Sequence, residues 1–467
     1  MHQMRRGCLI AGFFIWIALD SRPSQAQYTA NFQTNTISGI TSNWTGTYCV
    51  GCSTFADVLL IRNGGILGDN PGSVGESYGS SNNMVLVSDP GSVWSNYSGL
   101  FVGTEGGGNT LVISNGGHVV SLAESGIGWD FGGTNTVLVT GTGSVWSDPG
   151  GVVIGDYGRG NRLVISDGGQ VLGGYTIVGL AAPSNTVVVS GPGSVFSNSA
   201  FSGGSLIISN AAQVVSGRGT VSSALVTGAG SVWNISTELS FSYYAGLVIS
   251  NGGLVVDGST IMGSGDVTDS NNTVRVVNGG TWQSGVLYVG DGGSSNSVTI
   301  SGGSVSATNL IVGFASTLCN NLLELDGGSV TITNGGTGVL EVRNGQLILS
   351  GGLLQADTLV ITNSCAQFIH TGGTLIVGNV VLDPNTFRIV SVARQSNEML
   401  VTWMMGPGAT NTLQATAGDG AGGYSTDGFT DIFVVTNNTT VGTVTNYLDL
   451  GAATNTPARY YRARFIP

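Results

Sequence analysis

Apolar and polar residues alternate in short runs that recur along most of the chain. In "NTLVISNGGHVVS" (109–121), a run rich in β-branched residues meets an Asn-Gly-Gly turn and then a second short run. A short run rich in β-branched residues and bounded by turn residues predicts a strand, and Asn-Gly supplies the positive φ of a sharp corner. Close copies occur at 161–173 and 245–257, and a sister version containing Gly-Ser-Val interleaves with them at 84–96, 136–148 and 186–198.

Longer copies add a third short run ending in Val-Gly or Ile-Gly, such as "GLFVGT" and "GVVIGD". The copies follow one another every 18–27 residues over 58–383, and no helical period interrupts them. Three short strands per repeat are typical of one rung of a solenoid. The sequence therefore predicts an all-β fold with a right-handed parallel β-helix of about 14 rungs. A left-handed helix of 18-residue coils is the alternative, and the longer periods count against it.

Two details of the repeat lead to further expectations. If the turn glycines align, Gly117 stacks between Gly91 and Gly143, about 4.8 Å from each. Across 194–230 the spacing of the turns falls to 19 and 18 residues, and the Val-Gly run is not recognisable. These rungs are expected to lack the third strand and to form a narrow waist.

In the first strand of each rung, the residues that flank the middle one, such as Leu111 and Ile113, are predicted to face inward. The middle residue then faces outward, and over nine rungs it is aliphatic: Leu60, Leu86, Val112, Leu138, Val164, Val188, Ile207, Leu225 and Val248. Beyond residue 260 the same position is filled by Arg275, Thr299, Glu324 and Glu341. A long exposed apolar column indicates a contact surface, with Leu138 and Val164 at its centre. The alternative is that β-branched residues simply favour strands.

The second strand holds large aromatic residues on alternate rungs: Trp94, Trp146, Phe196 and Trp233. Because the position before them is usually Val, which is expected to face inward, the aromatics are predicted to face outward. An exposed ladder of rings predicts a polysaccharide-binding module as an alternative function. The alternative is that the aromatic residues face inward and the residues before them outward, which would place the rings in the core.

The two ends of the chain differ from the repeat. Residues 1–26 combine a basic start, a short apolar run and small residues before Gln27, which predicts a cleaved secretory signal. Residues 27–57 are predicted to form an N-terminal cap, and 384–467 a small β-sandwich. The apolar run of the signal is too short to span a membrane and no later stretch approaches that length, so the mature chain is expected to have no integral membrane segment.

Composition narrows the classes of partner. All 14 basic residues are arginine, and the absence of lysine excludes Schiff-base chemistry and a P-loop. Removing 1–26 leaves 11 basic and 25 acidic residues, a net charge of −14. An acidic, sparsely charged chain disfavours nucleic acid and anionic membranes. No motif points to a cofactor or a metal.

The mature chain has four cysteines. Cys49 and Cys52 form one Cys-x-x-Cys without a second pair, which disfavours zinc and haem and favours a local disulfide over free thiols. Cys319 and Cys365 are expected to lie about two rungs apart, too far for an unstrained bridge.

Catalysis has no positive signal. A β-helical glycosidase or polysaccharide lyase needs facing carboxylates or an acidic calcium cluster, and this class is a second alternative function. The close acidic pairs, Glu324/Asp326 and Asp266/Asp269, are predicted to lie on a solvated face and in a loop. His118 is predicted to be a surface residue. The chain is therefore not expected to be an enzyme.

The alternation of "LVISNGGxV" with "GxGSVWS", joined by "VxVGD", resembles the T5SS/PEP-CTERM-associated repeat and, more generally, autotransporter passenger domains. Trp403 in "LVTW" and Tyr461 in "YYRAR" resemble the core residues of a fibronectin type III-like domain. The resemblance implies an exported protein, extracellular or at the cell surface, with the periplasm as the alternative. Together with the apolar and aromatic columns, this predicts a structural or adhesive role, with polysaccharide, a matrix protein or another copy as partner. Neither a PEP-CTERM anchor nor a β-barrel segment is recognised in the sequence.

Overall fold

The computed structural model describes residues 28–263, 269–315, 319–361, 363, 365–382, 388–405, 410–418, 423–438, 443–454 and 458–466. The predicted signal, 1–26, lies outside these residues. Every element within them is a β-strand. The first nineteen strands are β1 (Thr34–Ser38), β2 (Thr41–Asn43), β3 (Tyr48–Val50), β4 (Val58–Arg62), β5 (Ile66–Asp69), β6 (Gly72–Val74), β7 (Met84–Ser88), β8 (Val93–Asn96), β9 (Leu100–Val102), β10 (Thr110–Ser114), β11 (His118–Ser121), β12 (Ser125–Ile127), β13 (Thr136–Thr140), β14 (Val145–Asp148), β15 (Val152–Ile154), β16 (Arg162–Ser166), β17 (Gln170–Gly173), β18 (Tyr175–Val178) and β19 (Thr186–Ser190).

The later strands are longer because several run through two or three strand positions. They are β20 (Val195–Gly203), β21 (Ser205–Ser209), β22 (Gln213–Thr227), β23 (Val232–Ser250), β24 (Leu254–Met262), β25 (Thr273–Val277), β26 (Thr281–Val289), β27 (Ser297–Ser301), β28 (Gly303–Val312), β29 (Asn321–Ile332), β30 (Val339–Val342), β31 (Gly345–Ile361), β32 (Gln367–His370) and β33 (Thr374–Leu382). The C-terminal strands are β34 (Ile389–Gln395), β35 (Glu398–Met405), β36 (Thr410–Ala417), β37 (Thr430–Thr436), β38 (Thr443–Asp449) and β39 (Arg459–Ile466).

The predicted fold is confirmed: β1–β33 form a parallel β-solenoid of about 14 turns. Each rung contributes three strands, and each strand pairs in parallel with its equivalent one rung away; β10 pairs with β7 and β13, and β12 with β9 and β15. In strands such as β10, the second and fourth side chains are buried and the others lie at the surface. The core is therefore the column of inward aliphatic and aromatic residues along the axis.

The short rungs retain their third strand, so the expectation that it is missing was wrong. Strand β20 pairs with β17 at Phe196 and continues until Phe201 pairs with Thr176 of β18. These rungs instead lack the loop that leads to the next first strand: β20 ends at Gly203 and β21 begins at Ser205. The sequence "AFSG" lacks the Val-Gly signature because no loop has to follow it.

Both ends of the solenoid are partly covered. The segment predicted to be a cap holds a rung of its own, since β1, β2 and β3 pair with β4, β5 and β6. Tyr28 and Trp44 pack against the core there. At the other end, two three-stranded antiparallel sheets (β34-β35-β38 and β37-β36-β39) enclose a second core around Trp403. Met404 of β35 joins the core of the solenoid and thereby attaches the sandwich to its last rungs.

Candidate contact surface

The outward side chains of the first strands form one face of the solenoid, which we call the first-sheet face. It consists of the first, third and fifth residues of β4, β7, β10, β13, β16, β19 and β21, and of 223–227 and 246–250 in β22 and β23. Leu111 and Ile113 are 0% exposed, whereas Val112 between them is partly exposed. The register aligns Val112 with Leu86 and Leu138, so the predicted aliphatic column exists and points away from the interior.

The aliphatic column is bordered by hydroxyl groups. In β10, β13, β19 and β21, the outward residues on either side of the aliphatic one are all Ser or Thr. Hydroxyls on successive rungs bond to one another, as Ser166 does to Thr140 (2.9 Å) and Ser209 to Ser190 (3.0 Å). Of the 27 outward positions on this face, only Arg62 and Arg162 are charged. The result is a regular surface with an apolar centre and neutral polar borders.

The column changes character after Val248. Arg275, Thr299 and Glu324 follow it in register, as predicted. The next member is Ile348, which pairs with Glu324; Glu341 lies in a third strand opposite Ile311. The assignment of Glu341 was wrong because the weak copy at 339–349 contains the end of one rung and the start of the next. The polar stretch thus spans three rungs.

The prediction that the aromatic residues face outward was wrong. Trp94, Trp146, Phe196 and Trp233 are all 0% exposed and alternate along the axis with inward valines such as Val119. A buried ring cannot stack on a sugar, so these residues do not form the polysaccharide ladder. Rings on every other rung, with a small Val between, fill the interior at the density that cores require.

A one-residue offset between the two versions of the repeat caused this error. His118 pairs with Val93 and Val145, so Gly117 stacks with Ser92 and Ser144 instead of Gly91 and Gly143. Gly91 and Gly143 lie instead over the first glycine of the Gly-Gly pair in the rung before: a Cβ on Gly143 would lie 3.7 Å from the Gly116 Cα. The serine has its own function in the turn: the Ser144 hydroxyl accepts a hydrogen bond from the Gly116 amide (3.1 Å).

Polar groups inside the solenoid pair with the indoles. Trp94 Nε1 donates to Asp69 (2.9 Å), and Trp282 Nε1 donates to Asp257 (2.7 Å). Burial raises the pKa of Asp69 to about 7, although the hydrogen bond from Trp94 opposes the shift. Burial also raises the pKa of Asp148 to about 7, against hydrogen bonds from Ser125 and two backbone amides. The pKa of Asp257 is raised for the same reason.

A ladder of buried asparagines, which we did not predict from the sequence, lies at the start of the first strand in eight rungs. Its members are Asn83, Asn109, Asn135, Asn161 and Asn185, and again Asn272, Asn296 and Asn321. The Asn135 side chain accepts from the Asn109 amide (2.8 Å), and the Asn135 amide donates to the Asn161 side chain (2.9 Å). The signal was visible, because an Asn precedes each of these alternating runs. The asparagine ladder is interrupted only where the loops between rungs are absent.

The four cysteines of the described residues form two disulfides. Cys49 is bonded to Cys52, as predicted, and the Glu76 carboxylate lies beside this pair. Cys319 is bonded to Cys365, with their Cα atoms 5.3 Å apart, so the expectation that these two are too distant was wrong. The intervening rung has only Arg343 and Asn344 between β30 and β31, which lets the flanking segments approach each other.

The remaining chemical candidates do not converge. Glu324 lies on the outward side of β29, and exposed Asp326 accepts a hydrogen bond from Ser350 (3.1 Å). Asp266 lies outside the described residues. His118 is exposed, with Nε2 3.1 Å from the Gly143 carbonyl oxygen. Within the described ranges, no helix has the length and apolarity needed to cross a membrane.

No family model matches the chain, and no curated protein matches it.

Proposed function

We propose that this chain is an exported structural or adhesive β-helix that makes lateral contacts through its first-sheet face. The observation that supports this most is the aliphatic column, nine rungs long and bordered mainly by hydroxyls. Nine positions span eight steps of about 4.8 Å, a ridge of nearly 40 Å. Monomeric proteins rarely leave so long an apolar surface without a partner. The partner is another copy, a matrix component or a surface.

The near absence of charge suits this role. A face with two arginines among aliphatic and hydroxyl side chains loses little hydration free energy when it is covered. The two disulfides support export, since such bonds persist in oxidising compartments. The exported, cell-surface location and the relation to T5SS/PEP-CTERM-associated repeats are parts of the same proposal.

A non-catalytic role is also part of the proposal. A carboxyl group with a raised pKa is a common mark of an acid catalyst. Asp69, Asp148 and Asp257 have such groups, but they are at most 6% exposed and face the interior of the solenoid. A polysaccharide could not reach them, which supports a structural reason for their shifts.

The test is the double variant Leu138→Asp/Val164→Asp, which places two carboxylates at the centre of the column. Because burying an unpaired charge is costly, we expect the variant to lose self-association in sedimentation velocity and adsorption to surfaces that the wild-type chain coats. Arg275→Asp/Thr299→Asp is the matched control, since these residues occupy adjacent rungs of the same column where it is polar. The control should behave as the wild type does.

Far-UV circular dichroism and the Tm report whether each variant still folds. If the folded Leu138→Asp/Val164→Asp variant assembles and adsorbs as the wild type does, the aliphatic column reflects strand preference alone and the proposal fails. A wild-type chain that neither associates nor adsorbs would also overturn it.

A further inference from the structure

A second surface lies along the loops that connect a third strand to the next first strand. We call it the loop edge, and it consists of 75–83, 103–109, 128–135, 155–161 and 179–185. Successive loops stack, because their backbones continue the ladder: the Asp130 amide donates to the Thr104 carbonyl (2.9 Å), and the Ala181 amide to the Asp156 carbonyl (2.8 Å). Five loops span four steps, roughly 19 Å along the axis.

Large apolar side chains are exposed along this edge. Tyr78 is 90% exposed, Phe131 73%, Tyr157 56% and Leu180 63%. The rings of Phe131 and Tyr157 lie on adjacent rungs with their centroids 5.9 Å apart. No other aromatic ring is packed onto Tyr78 within the described part of the chain. Large rings left in water along one edge are a recurrent feature of binding surfaces.

The base of each loop is rigid. Each loop begins with a glycine at positive φ, and the first four of these glycines, such as Gly103 (φ 75°), lie directly against a buried asparagine of the ladder. A Cβ at Gly103 would overlap the Asn135 amide, so glycine is required there by space as well as by φ. A fixed base means that little conformational entropy is lost when a ligand binds the rings.

Charge decides what this edge can bind. The five loops carry four carboxylates, Glu76, Glu105, Asp130 and Asp156, and one cation, Arg159. Glu105 is on the loop between those of Tyr78 and Phe131, and its carboxylate accepts a hydrogen bond from the Tyr78 amide (3.1 Å). Polyanions such as nucleic acid, anionic lipid or polyuronate are therefore repelled. Carboxylates instead accept hydrogen bonds from hydroxyl groups, while rings pack against apolar C–H faces.

The geometry points to an uncharged polysaccharide as the ligand of the loop edge. Its sugar rings lie on Tyr78, Phe131 and Tyr157, and its hydroxyls donate to Glu105 and Asp130. This site is separate from the first-sheet face, so it goes beyond the proposed function. The two surfaces together describe a protein that contacts its neighbours on one face and a glycan along an adjacent edge.

The test is native affinity electrophoresis of the mature chain in gels that contain galactomannan, xyloglucan or mixed-linkage β-glucan, together with pull-down on cellulose. At least one of these uncharged polysaccharides should retain the wild-type chain, and polygalacturonate should not. Phe131→Ala/Tyr157→Ala should weaken retention roughly tenfold or more, because two stacking rings are lost. Tyr97→Ala is the matched control, as Tyr97 is 69% exposed but lies outside the loop edge.

Two further arms separate this site from charge-driven binding and from binding through the first-sheet face. Retention should persist in 0.5 M salt, roughly where the Debye length falls below 5 Å, because the ligand is uncharged. Retention should also persist in the Leu138→Asp/Val164→Asp variant. The test of the loop edge therefore gives the same result whether or not the first-sheet face is a contact surface. Retention by none of the four uncharged polysaccharides overturns the inference. The inference is also overturned if the Phe131→Ala/Tyr157→Ala variant is retained as strongly as the wild type, or if salt abolishes the retention of the wild type.

Discussion

At the scale of single residues, the interior of the solenoid is less apolar than its alternation suggests. Trp94 brings an indole N–H into the core, and Asp69 provides the acceptor for it from the neighbouring rung. The same arrangement recurs at Trp282 with Asp257, while Trp233 uses the hydroxyl of Ser216 (3.1 Å). An acceptor is needed because an unpaired buried donor costs about 1–3 kcal/mol.

The raised pKa of Asp69 makes stability depend on pH. The folded chain holds this proton up to a pKa of about 7, whereas the ordinary pKa of an Asp side chain is 3.8. Stability is therefore greatest below the lower value, falls as pH rises between the two and is lowest above the folded pKa. Lowering the pH from 7.5 to 5 should therefore raise the free energy of unfolding by roughly 2 kcal/mol through this group alone.

The check is the Tm of wild type and Asp69→Asn from pH 5 to 8. The variant should show a flatter profile, with Asp326→Asn as the exposed control that leaves the profile unchanged. A wild-type Tm that rises with pH over this interval would contradict the prediction.

The asparagine ladder should be costly to interrupt. Asn135→Ala removes the acceptor for the backbone amide and side-chain amide of Asn109, both buried. Two orphaned donors at about 1–3 kcal/mol each predict a loss of roughly 2–6 kcal/mol of unfolding free energy. Asn234→Ala, at an exposed strand position, should change it by less than about 0.5 kcal/mol. Urea unfolding followed by circular dichroism distinguishes the two, and equal effects would refute a structural role for the ladder.

At this scale the sequence predicted the parity of the first strand but not of the second. The first strand has five residues in each rung from β4 to β21, so Leu111 and Ile113 identify the inward positions without reference to a turn. In the second strand a Val precedes the aromatic residue in one version of the repeat but faces inward in the other, because Gly91 and Gly117 occupy different positions of two turn types. In "GSVW" a serine, Ser92, takes the place of the second glycine. Its hydroxyl accepts a hydrogen bond from the Gly64 amide (3.0 Å), a role that the sequence alone does not show.

At the scale of elements, the rung is a repeated strand order with variable connections. Loops of up to nine residues separate third from first strands near the N-terminus, and β22 and β23 run from a second strand into the next first strand without one. The spacing of the repeat therefore reports loop length and not strand number. This explains why the sequence located the short rungs correctly and misjudged what they lack.

The disulfide between Cys319 and Cys365 depends on this variation. Peptide mapping of the unreduced protein should find the 49–52 and 319–365 bonds, and no thiol should react with iodoacetamide before reduction. Cys365→Ser should lower the free energy of unfolding of the C-terminal rungs by about 2–4 kcal/mol, the typical contribution of a disulfide. Alkylation of Cys319 in the native, unreduced protein would contradict the pairing.

At the scale of the whole molecule, the solenoid is partly covered at both ends and presents two long surfaces along its sides. Tyr28 and Trp44 pack on the first rungs, and Met404 ties the C-terminal sheets to the last. The first-sheet face is apolar and almost uncharged, whereas the loop edge is aromatic and acidic. The sequence predicted the first surface because its residues follow the strand period. It could not reveal the second, since loop residues have no common period and only the stacking of the loops brings Tyr78, Phe131 and Tyr157 together.

Site-specific photocrosslinking tests the lateral contact most directly. A benzophenone amino acid replaces Leu138 in one preparation and Thr299 in another, and each protein is irradiated under conditions in which the wild type associates or coats a surface. We expect adducts from position 138, joined to a second copy or to a matrix component, and few from position 299 in the polar part of the same column. Equal adduct yields at the two positions, or none at position 138, would contradict a contact surface on the first-sheet face.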